Sequence, residues 1–305
     1  MKLNDLKKVL LVVAGPTAAG KTALAIQLAK YFKTEILSAD SRQFYKEMSI
    51  GTAKPSAEEL AAVPHHFIGS HSITDRFSVA DFEKAALEKL AELYQKHDVA
   101  IIVGGSGLYL QAVEQGFDEI PEADLQERER WNQLYEQQGL EYLQQQLKIL
   151  DPEYYQKVDV QNPQRIIRAL EVSSSTGKTF SSFLTKIKKE RPFKIIKIGI
   201  NPNRKILYDM INRRVDLMVE NGLIEEVKQL LPYQHLNALK TVGYKELFEA
   251  FNNNLPVKEA LEKIKQNTRH FAKRQITWFK KDEEIKWFDS ADVKPVLDYI
   301  LPLIG

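Results

Sequence analysis

The stretch Val9-Leu-Leu-Val-Val-Ala-Gly-Pro-Thr-Ala-Ala-Gly-Lys-Thr22 decides the fold of this 305-residue chain. Its first five residues are apolar and mainly β-branched, which is typical of a strand buried on both faces. The strand pattern ends at Gly15-Pro16, and apolar residues then recur at helical spacing: Leu24, Ala25, Leu28 and Ala29. The sequence therefore predicts a buried strand, a glycine-containing loop and a helix, in that order.

The loop between this strand and this helix fits the pattern G-x-x-x-x-G-K-[ST]. Glycines let successive backbone N–H groups point inward at an anion, and the helix N-terminus adds partial positive charge. Lys21 supplies a charge to the outer phosphate, and the Thr22 hydroxyl is suited to Mg²⁺. We therefore expect a di- or triphosphate, with Mg²⁺, to bind the loop residues Gly15, Pro16, Thr17, Ala18, Ala19, Gly20, Lys21 and Thr22.

Strands and helices continue to alternate after the loop. Short strands are predicted at Glu35–Leu37 and Val99–Val103, and the apolar face of a helix runs from Val79 to Leu93 between them. Such alternation is typical of a parallel sheet covered by helices on both faces, the α/β class. With the phosphate-binding loop after its first strand, the core is predicted to be P-loop NTPase-like.

The pattern changes in the middle of the chain. From about residue 114 to residue 184 helical periodicity replaces the strands, and strand patterns return at Phe193–Ile200 and Ile285–Phe288. This order is expected when an all-helical module is inserted into an α/β core. We predict the first part of the core at 1–113, the helical insertion at 114–192, and the rest of the core with further helices at 193–305.

The composition excludes several classes of protein. Apolar residues make up 44% and charged residues 28%, which rules out wholesale disorder. The absence of cysteine excludes disulfides, zinc–thiolate sites, iron–sulfur clusters and cysteine nucleophiles. No apolar run approaches the ~18 residues that a membrane span needs, and Met1–Lys8 lacks the apolar core of a signal peptide. We expect a cytoplasmic, monomeric protein with no membrane contact.

The net charge of +2 hides an uneven distribution. Residues 114–159 hold 4 basic and 12 acidic groups, whereas residues 164–214 hold 13 basic and 3 acidic groups. Residues 263–281 hold 7 basic groups and no acidic group, and there Phe271 and Trp278 are expected to pack one side of a helix on the core. Basic blocks of this kind suit polyanions such as nucleic acids, and a solvated helix face is the alternative.

A single acidic residue follows a predicted strand at its carboxyl end. This residue is Asp40, whereas the strand at Val99–Val103 continues into Gly104-Gly105, and a nucleotide-hydrolysing enzyme normally carries a metal-holding acid there. Open α/β sheets bind ligands outside the carboxyl ends of their strands, so Asp40 should face the phosphate loop. Its carboxylate could accept a proton from a nucleophile; a helix N-cap and a metal ligand are the alternatives.

These residues belong to a larger set through which the chain resembles the tRNA dimethylallyltransferases, also called tRNA isopentenyltransferases. The matching blocks run in the family's order over nearly the whole length. They are Gly15–Thr22, Asp40–Tyr45, Ile50–Pro55, His65-His66, Phe77–Phe82, Gly104–Tyr109, Gln164–Glu171, Val242–Glu246 and Thr268–Trp278. The phosphate loop alone is unspecific, but the ordered set is very specific.

The resemblance implies a reaction and a set of site residues. A dimethylallyl group would pass from dimethylallyl diphosphate to N6 of the adenosine immediately 3′ of the anticodon of tRNA, and diphosphate would leave. Asp40 matches the family's general base, Arg214 its diphosphate-binding arginine, and Thr17 a loop threonine close to the reacting centre. By resemblance, tRNA contacts fall on Asp40, Ser41, Arg42, Gln43, Ser106, Gln164, Arg165, Ile166, Ile167, Arg168, Thr241, Val242, Gly243, Tyr244, Lys245 and Glu246.

Two other functions use the same features. A small-molecule kinase would bind ATP at the loop and would use the helical insertion as a lid, with Arg165 and Arg168 as its charge clamp. These arginines, spaced i and i+3 with no acid between them, suit phosphate contacts, or they belong to an exposed face that pairs with distant acids. A nucleotide-gated RNA-binding module is the third hypothesis, which Asp40 beside the loop disfavours.

Overall fold

The computed structural model describes residues 8–122, 124–185 and 188–304. By its internal contacts the chain divides into two compact units. The core unit is Met1–Gln115 together with Glu190–Gly305, and the insertion unit is Gly116–Lys189. The predicted bounds of the insertion are 114 and 192, close to these.

Strands and helices alternate through the first part of the core unit. The elements before the insertion are β1 (Val9–Ala14), α1 (Lys21–Phe32), β2 (Ile36–Ser38), α2 (Ala57–Ala62), β3 (His65–His66), α3 (Val79–Leu93), β4 (Val99–Gly104) and α4 (Gly107–Gln115). The insertion unit then contributes α5 (Leu125–Leu150), α6 (Pro152–Tyr155) and α7 (Pro163–Thr176). The elements after it are β5 (Lys194–Ile200), α8 (Arg204–Glu220), α9 (Leu223–Leu230), α10 (Tyr244–Asn252), α11 (Val257–Phe279), β6 (Lys286–Phe288) and α12 (Val293–Ile304).

The six strands form one parallel sheet in the order β3-β2-β4-β1-β5-β6. The predicted α/β class and its parallel sheet are therefore confirmed. The two-residue strand β3, His65–His66, is absent from the predicted strands, because two residues are too short to show an alternating pattern. In this order β4 lies between β1 and β2, so the loops that follow these three strands emerge side by side at one edge of the sheet.

Strand β1 shows why the sheet is covered on both faces. All six of its side chains are buried, and successive residues point to opposite faces. Val9, Leu11 and Val13 pack with α1 and α12, whereas Leu10 and Val12 pack with α3 and α4. The continuous apolar run of the sequence is thus the pattern of a central strand between two helical layers.

The insertion unit is built from a helix pair. Helix α5 is interrupted at Gly139, which has φ 78° and ψ −175°, and its residues Trp131, Leu143 and Leu147 are buried. They pack with the apolar face of α7, including Ile166 and Ile167. Asn162 caps α7 by accepting the Arg165 N–H through its side-chain oxygen.

Helix α11 differs from the prediction in which side chains it buries. Phe271 and Trp278 are 39% and 41% exposed and belong to none of the hydrophobic clusters in the described part of the core unit, so the expectation that they pack into the core is wrong, although the Trp278 ring lies against Gly107 at the start of α4. The buried face instead carries Ala260, Ile264, Ala272, Gln275 and Phe279. Each exposed aromatic residue directly precedes a buried residue, and one position along a helix turns a side chain by about 100°. Among the described residues, no helix has the length and apolar character needed to cross a bilayer.

Candidate functional site

Three loops meet at the carboxyl edge of the sheet in the core unit. The loop Gly15–Gly20 follows β1, Asp40 follows β2, and Gly105 follows β4, which ends at Gly104 and lies between them. The topology therefore brings together the phosphate loop and the single acid that the sequence marks at a strand end, as expected for an open parallel sheet.

The phosphate loop has a backbone that requires glycine at its first position. Gly15 has φ +143°, and a Cβ there would lie 2.5 Å from the carbonyl oxygen of Ile200 on β5. Gly20, at φ +87°, then precedes the first turn of α1. The loop backbone and the N-terminus of α1 together form the concave, partially positive cradle that an anion requires.

Two cations lie at this cradle with their charged groups buried, although the side chains as a whole are half-buried. Lys21 donates a hydrogen bond from Nζ to the carbonyl oxygen of Pro16 at 2.6 Å. Burial and the neighbouring charge of Arg214 lower the pKa of Lys21 to about 7, and the charge of Asp40 opposes this shift. Burial also lowers the pKa of Arg214, and the charge of Asp40 again opposes the shift. Lys21 and Arg214 thus place two positive charges at the phosphate loop, where the negative charge of a bound diphosphate would compensate them.

Asp40 is half-buried at the end of β2 and electrostatically coupled to both cations. One carboxylate oxygen, Oδ1, accepts the backbone N–H of Arg42 at 3.0 Å. No helix begins within the next residues of this segment, which forms turns, so Asp40 is not a helix N-cap. A carboxylate that is fixed in orientation at this edge of the sheet can accept a proton from a bound amine.

The loop after β4 contributes close packing. A Cβ on Gly104 would lie 2.3 Å from the carbonyl oxygen of Ala39, and a Cβ on Gly105 would lie 2.3 Å from Nε2 of Gln275. The two glycines therefore let the segment before Asp40 and helix α11 approach the β4 loop. This approach is the steric reason for the absence of a side chain where a nucleotide-hydrolysing enzyme carries an acid.

Gln275 is a buried polar residue of this site that the sequence analysis did not single out. Its Oε1 accepts the backbone N–H of Thr17 at 2.9 Å, and its Nε2 donates to the carbonyl oxygen of Gly105 at 2.9 Å. A single buried amide thus joins the phosphate loop to the β4 loop and holds Thr17 in place. Gln275 lies three residues after Ala272 and four before Phe279, so a polar residue on the apolar face of α11 was the available signal.

The three residues after Asp40 form hydrogen bonds with other segments of the core unit. The Ser41 N–H donates to the Ser106 hydroxyl oxygen at 3.2 Å, which brings together two residues predicted to contact tRNA. Arg42 donates to the carbonyl oxygens of Asn237 and Ala238 at 3.2 and 2.9 Å. Gln43 is buried, with its amide directed at the backbone of residues 52 and 53.

The predicted tRNA-contacting stretch Thr241–Glu246 is partly internal. Tyr244 and Glu246 are buried, and Glu246 accepts hydrogen bonds from the Gly243 N–H at 2.8 Å and from Asn267 at 2.6 Å. Thr241 and Val242 are half-buried, and Lys245 is exposed. Of this stretch, Lys245 therefore presents the most accessible side chain to a partner.

The stretch Gln164–Arg168 begins helix α7 of the insertion unit. Ile166 and Ile167 are fully buried in the core of that unit, whereas Gln164 and Arg165 are exposed. Arg168 forms an ion pair with Glu171 one turn further on and donates to the carbonyl oxygen of Pro121 at 2.6 Å. Glu171 is completely buried and also pairs with Arg128 at 3.2 Å. Glu171, which follows both arginines in the sequence, thus offsets part of the charge of Arg168.

A metal ion would depend on ligands that a substrate supplies. Among the described residues, no group of three or more histidine, aspartate or glutamate side chains is arranged to hold a metal. Thr22 lies in the first turn of α1, directly after the phosphate loop. This donor set fits Mg²⁺, which typically keeps several waters and takes substrate phosphate oxygens with few protein ligands.

The fold and the site define a class: a P-loop NTPase-like α/β protein in which a carboxylate faces the phosphate loop beside two buried cations. Residues 43–282 match the family model of the IPP transferases. The tRNA dimethylallyltransferase of Christiangramia forsetii is 56% identical over 292 residues, which are 95% of this chain and 97% of the relative. The chain therefore belongs to the IPP transferase family.

Solved structures agree with this assignment. The chain is similar to the full-length tRNA isopentenylpyrophosphate transferase of Bacillus halodurans, with a TM-score of 0.71 and 35% identity. That match covers 98% of this chain and 97% of the other. A eukaryotic dimethylallyltransferase acting on tRNA gives a TM-score of 0.76 at 25% identity, covering 96% of this chain and 76% of the other.

Proposed function

We propose that the protein transfers the dimethylallyl group of dimethylallyl diphosphate to N6 of the adenosine immediately 3′ of the anticodon of tRNA. The allylic C–O bond breaks, a C–N bond forms, and diphosphate leaves. The observation that carries the proposal is Asp40 beside Lys21 and Arg214 at the carboxyl edge of the sheet. A proton acceptor and two buried cations are the groups that this substitution requires.

The cations act on the leaving group. Negative charge accumulates on the diphosphate as the allylic bond breaks, so positive groups stabilise the transition state more than the substrate. The charged groups of Lys21 and Arg214 are buried, which strengthens their interaction with that charge because little water screens it. The loop N–H groups and the α1 N-terminus add to the same effect.

Asp40 acts on the nucleophile. The exocyclic N6 amine carries two protons and must lose one as the C–N bond forms, and the Asp40 carboxylate would accept that proton. Its hydrogen bond from the Arg42 N–H fixes the orientation of the carboxylate. Thr17 and the half-buried Ser41–Ser106 pair lie on the loops around the same edge of the sheet.

Mg²⁺ is a further part of the proposal. The Thr22 hydroxyl would hold the ion together with diphosphate oxygens and water, and the ion would supply additional charge stabilisation for the leaving diphosphate. We also propose that the protein acts in the cytoplasm, as a monomer.

The tRNA must present its adenine to this enclosed edge. A base stacked in the anticodon loop cannot reach a diphosphate held by the phosphate loop, so the adenine has to leave its stack, at a cost of a few kcal/mol. Arg165 and Lys245 are exposed cations that suit contacts with RNA phosphates.

One incubation tests the proposal. The protein is mixed with ¹⁴C-labelled dimethylallyl diphosphate, Mg²⁺ and unmodified tRNA, and the RNA is digested to nucleosides. Label should appear in an N6-substituted adenosine, and it should be absent when that adenosine is replaced by guanosine. Parallel reactions with AMP as acceptor, and with γ-³²P-labelled ATP, complete the test. Label in free nucleotide alone, or transfer of the γ-phosphate, would overturn the proposal.

A further inference from the structure

Glu226, in the first turn of α9, accepts hydrogen bonds from three successive backbone amides. Its Oε2 accepts the N–H groups of Ser49 and Ile50 at 2.9 and 2.7 Å, and its Oε1 accepts the N–H of Gly51 at 2.9 Å. The hydroxyl of Tyr244 donates to the same Oε1 at 2.6 Å. One carboxylate thus uses the acceptor sites of both oxygens, and charge-assisted bonds of this kind are roughly twice as strong as neutral ones.

The segment that Glu226 holds, residues 49–53, is tightly packed on its other sides. The Thr52 hydroxyl donates to the carbonyl oxygen of Met48 at 2.7 Å. A Cβ on Gly51 would lie 2.6 Å from the ring of Tyr244, which is fully buried. Glu226 and Tyr244 therefore contact the segment closely and restrict its position.

The carbonyl groups of the same segment face the candidate site. The Thr52 carbonyl oxygen accepts from Arg214 at 3.4 Å and from Gln43 at 3.2 Å, and the Ala53 carbonyl oxygen accepts from Gln43 at 3.1 Å. The backbone N–H of Gln43 donates to the carbonyl oxygen of Asp40 at 3.1 Å. The segment thus joins the arginine on the diphosphate side to the turn that carries the proton acceptor.

The orientation of Arg214 depends on this contact. Arg214 is a largely buried guanidinium, and a buried charged group needs hydrogen-bond acceptors to offset its lost hydration. The Thr52 carbonyl supplies such an acceptor and so directs the planar fork of the side chain. A shift of the segment would turn the fork away from the cradle.

We propose that Glu226 is a positioning residue. By holding residues 49–53 in place, it orients the Arg214 side chain and the turn that carries Asp40 for the transfer reaction. The inference rests on the proposed function, because it assigns Arg214 to the leaving diphosphate and Asp40 to the amine. The carboxylate is required rather than any polar side chain, since a glutamine would direct its own N–H₂ group at backbone N–H groups.

A double-mutant cycle tests this proposal on the full chain. Glu226→Gln should lower kcat/KM for dimethylallyl diphosphate by about 10²-fold and weaken the binding of inorganic diphosphate, measured by calorimetry, by about tenfold. In an Arg214→Lys background, which keeps a charge but loses the fork, Glu226→Gln should change diphosphate binding by less than about twofold. Glu225→Gln is the matched control, because Glu225 is exposed on the neighbouring position, and it should behave as the unsubstituted protein.

The outcomes separate this inference from the function on which it rests. If the unsubstituted protein binds diphosphate but makes no prenylated adenosine, the proposed function fails. If that protein is active and Glu226→Gln matches it, or if the loss in diphosphate binding is as large with Arg214→Lys as without it, the positioning role fails.

A second variant covers the case in which Glu226→Gln does not fold, as judged by thermal unfolding. Tyr244→Phe keeps the ring against Gly51 and removes one of the four hydrogen bonds, so diphosphate binding should weaken by about fivefold, again only while Arg214 is present. A Tyr244→Phe protein with the full diphosphate affinity would overturn the proposal.

Discussion

The charged groups of Lys21 and Arg214 in the core unit are buried, although both side chains are half-buried as a whole, whereas Arg165 lies exposed and Arg168 is ion-paired on a helix of the insertion unit. Within the described ranges, neither buried cation forms an ion pair with a carboxylate, although Asp40 acts on both. Arg168, in contrast, shares the buried Glu171 with Arg128. The charge of Arg168 is thus partly neutralised by an ion pair. The charges of Lys21 and Arg214 have no carboxylate of the described residues in direct contact with them.

The difference separates two uses of positive charge. Buried cations without enough countercharge destabilise the protein until an anion arrives, so they are suited to act on a substrate in a small, defined position. An arginine held by a buried glutamate mainly fixes its own helix, and it has less charge left for a polyanion. Of the two arginines on α7, Arg165 is therefore the better candidate for a contact with RNA phosphate.

The largest expected effect concerns the acid that faces the buried cations. Asp40→Ala should lower kcat by ~10²–10⁴-fold and leave the affinity for tRNA unchanged, because the variant lacks the proton acceptor but keeps the RNA-binding surface. Asp40→Asn keeps an oxygen for the Arg42 N–H and should lose as much activity. An active Asp40→Asn protein would assign the side chain to structure instead. Single-turnover kinetics and filter binding measure the two quantities.

The next effect concerns the connection between the phosphate loop and α11. Gln275→Ala removes the acceptor of the Thr17 N–H and should lower kcat/KM by about 10²-fold, because the loop can then shift by a fraction of an ångström or more. Gln266→Ala, an exposed glutamine on the same helix, is the control and should have no effect. Equal activity of both variants in a steady-state assay would contradict the role of Gln275.

A pH dependence follows from the lowered pKa of Lys21. With a pKa of about 7, Lys21 loses its proton as the pH rises above 7, and a diphosphate then has to bind together with a proton. The advantage of the unsubstituted protein over Lys21→Met in binding inorganic diphosphate should therefore fall by up to about tenfold per pH unit above pH 7. Calorimetry at pH 6 to 9 measures both affinities. An advantage that stays constant over this range would show that Lys21 remains charged.

The smallest expected effect concerns the two arginines of helix α7 in the insertion unit. Arg165→Ala should reduce the slope of log K against log salt for tRNA binding by about one, which corresponds to one lost phosphate contact. Arg168→Ala should reduce the slope less, because Glu171, which it shares with Arg128, already offsets part of the charge of Arg168. Equal slopes for the two variants would remove the distinction drawn between these arginines.

Much of the fold follows from local spacing. The run Val9–Val13, the glycine loop and the helix after it are visible because each depends on neighbouring residues only. Asp40 is visible in the same way, because the short apolar run just before it marks the end of a predicted strand. Other features of the site follow no local pattern: Gln275 meets Thr17 across 258 positions of sequence, and Glu226 meets Gly51 across 175.

The sequence by itself determined the α/β core, the phosphate loop and the identity of the acid beside it, because short-range periodicity and turn chemistry specify them. Only the tertiary structure decided which cations are buried, which arginine is neutralised by Glu171, and which side chains hold the loops in place. These properties arise when segments far apart in the chain pack together, and burial and long-range hydrogen bonds leave no regular spacing in the sequence.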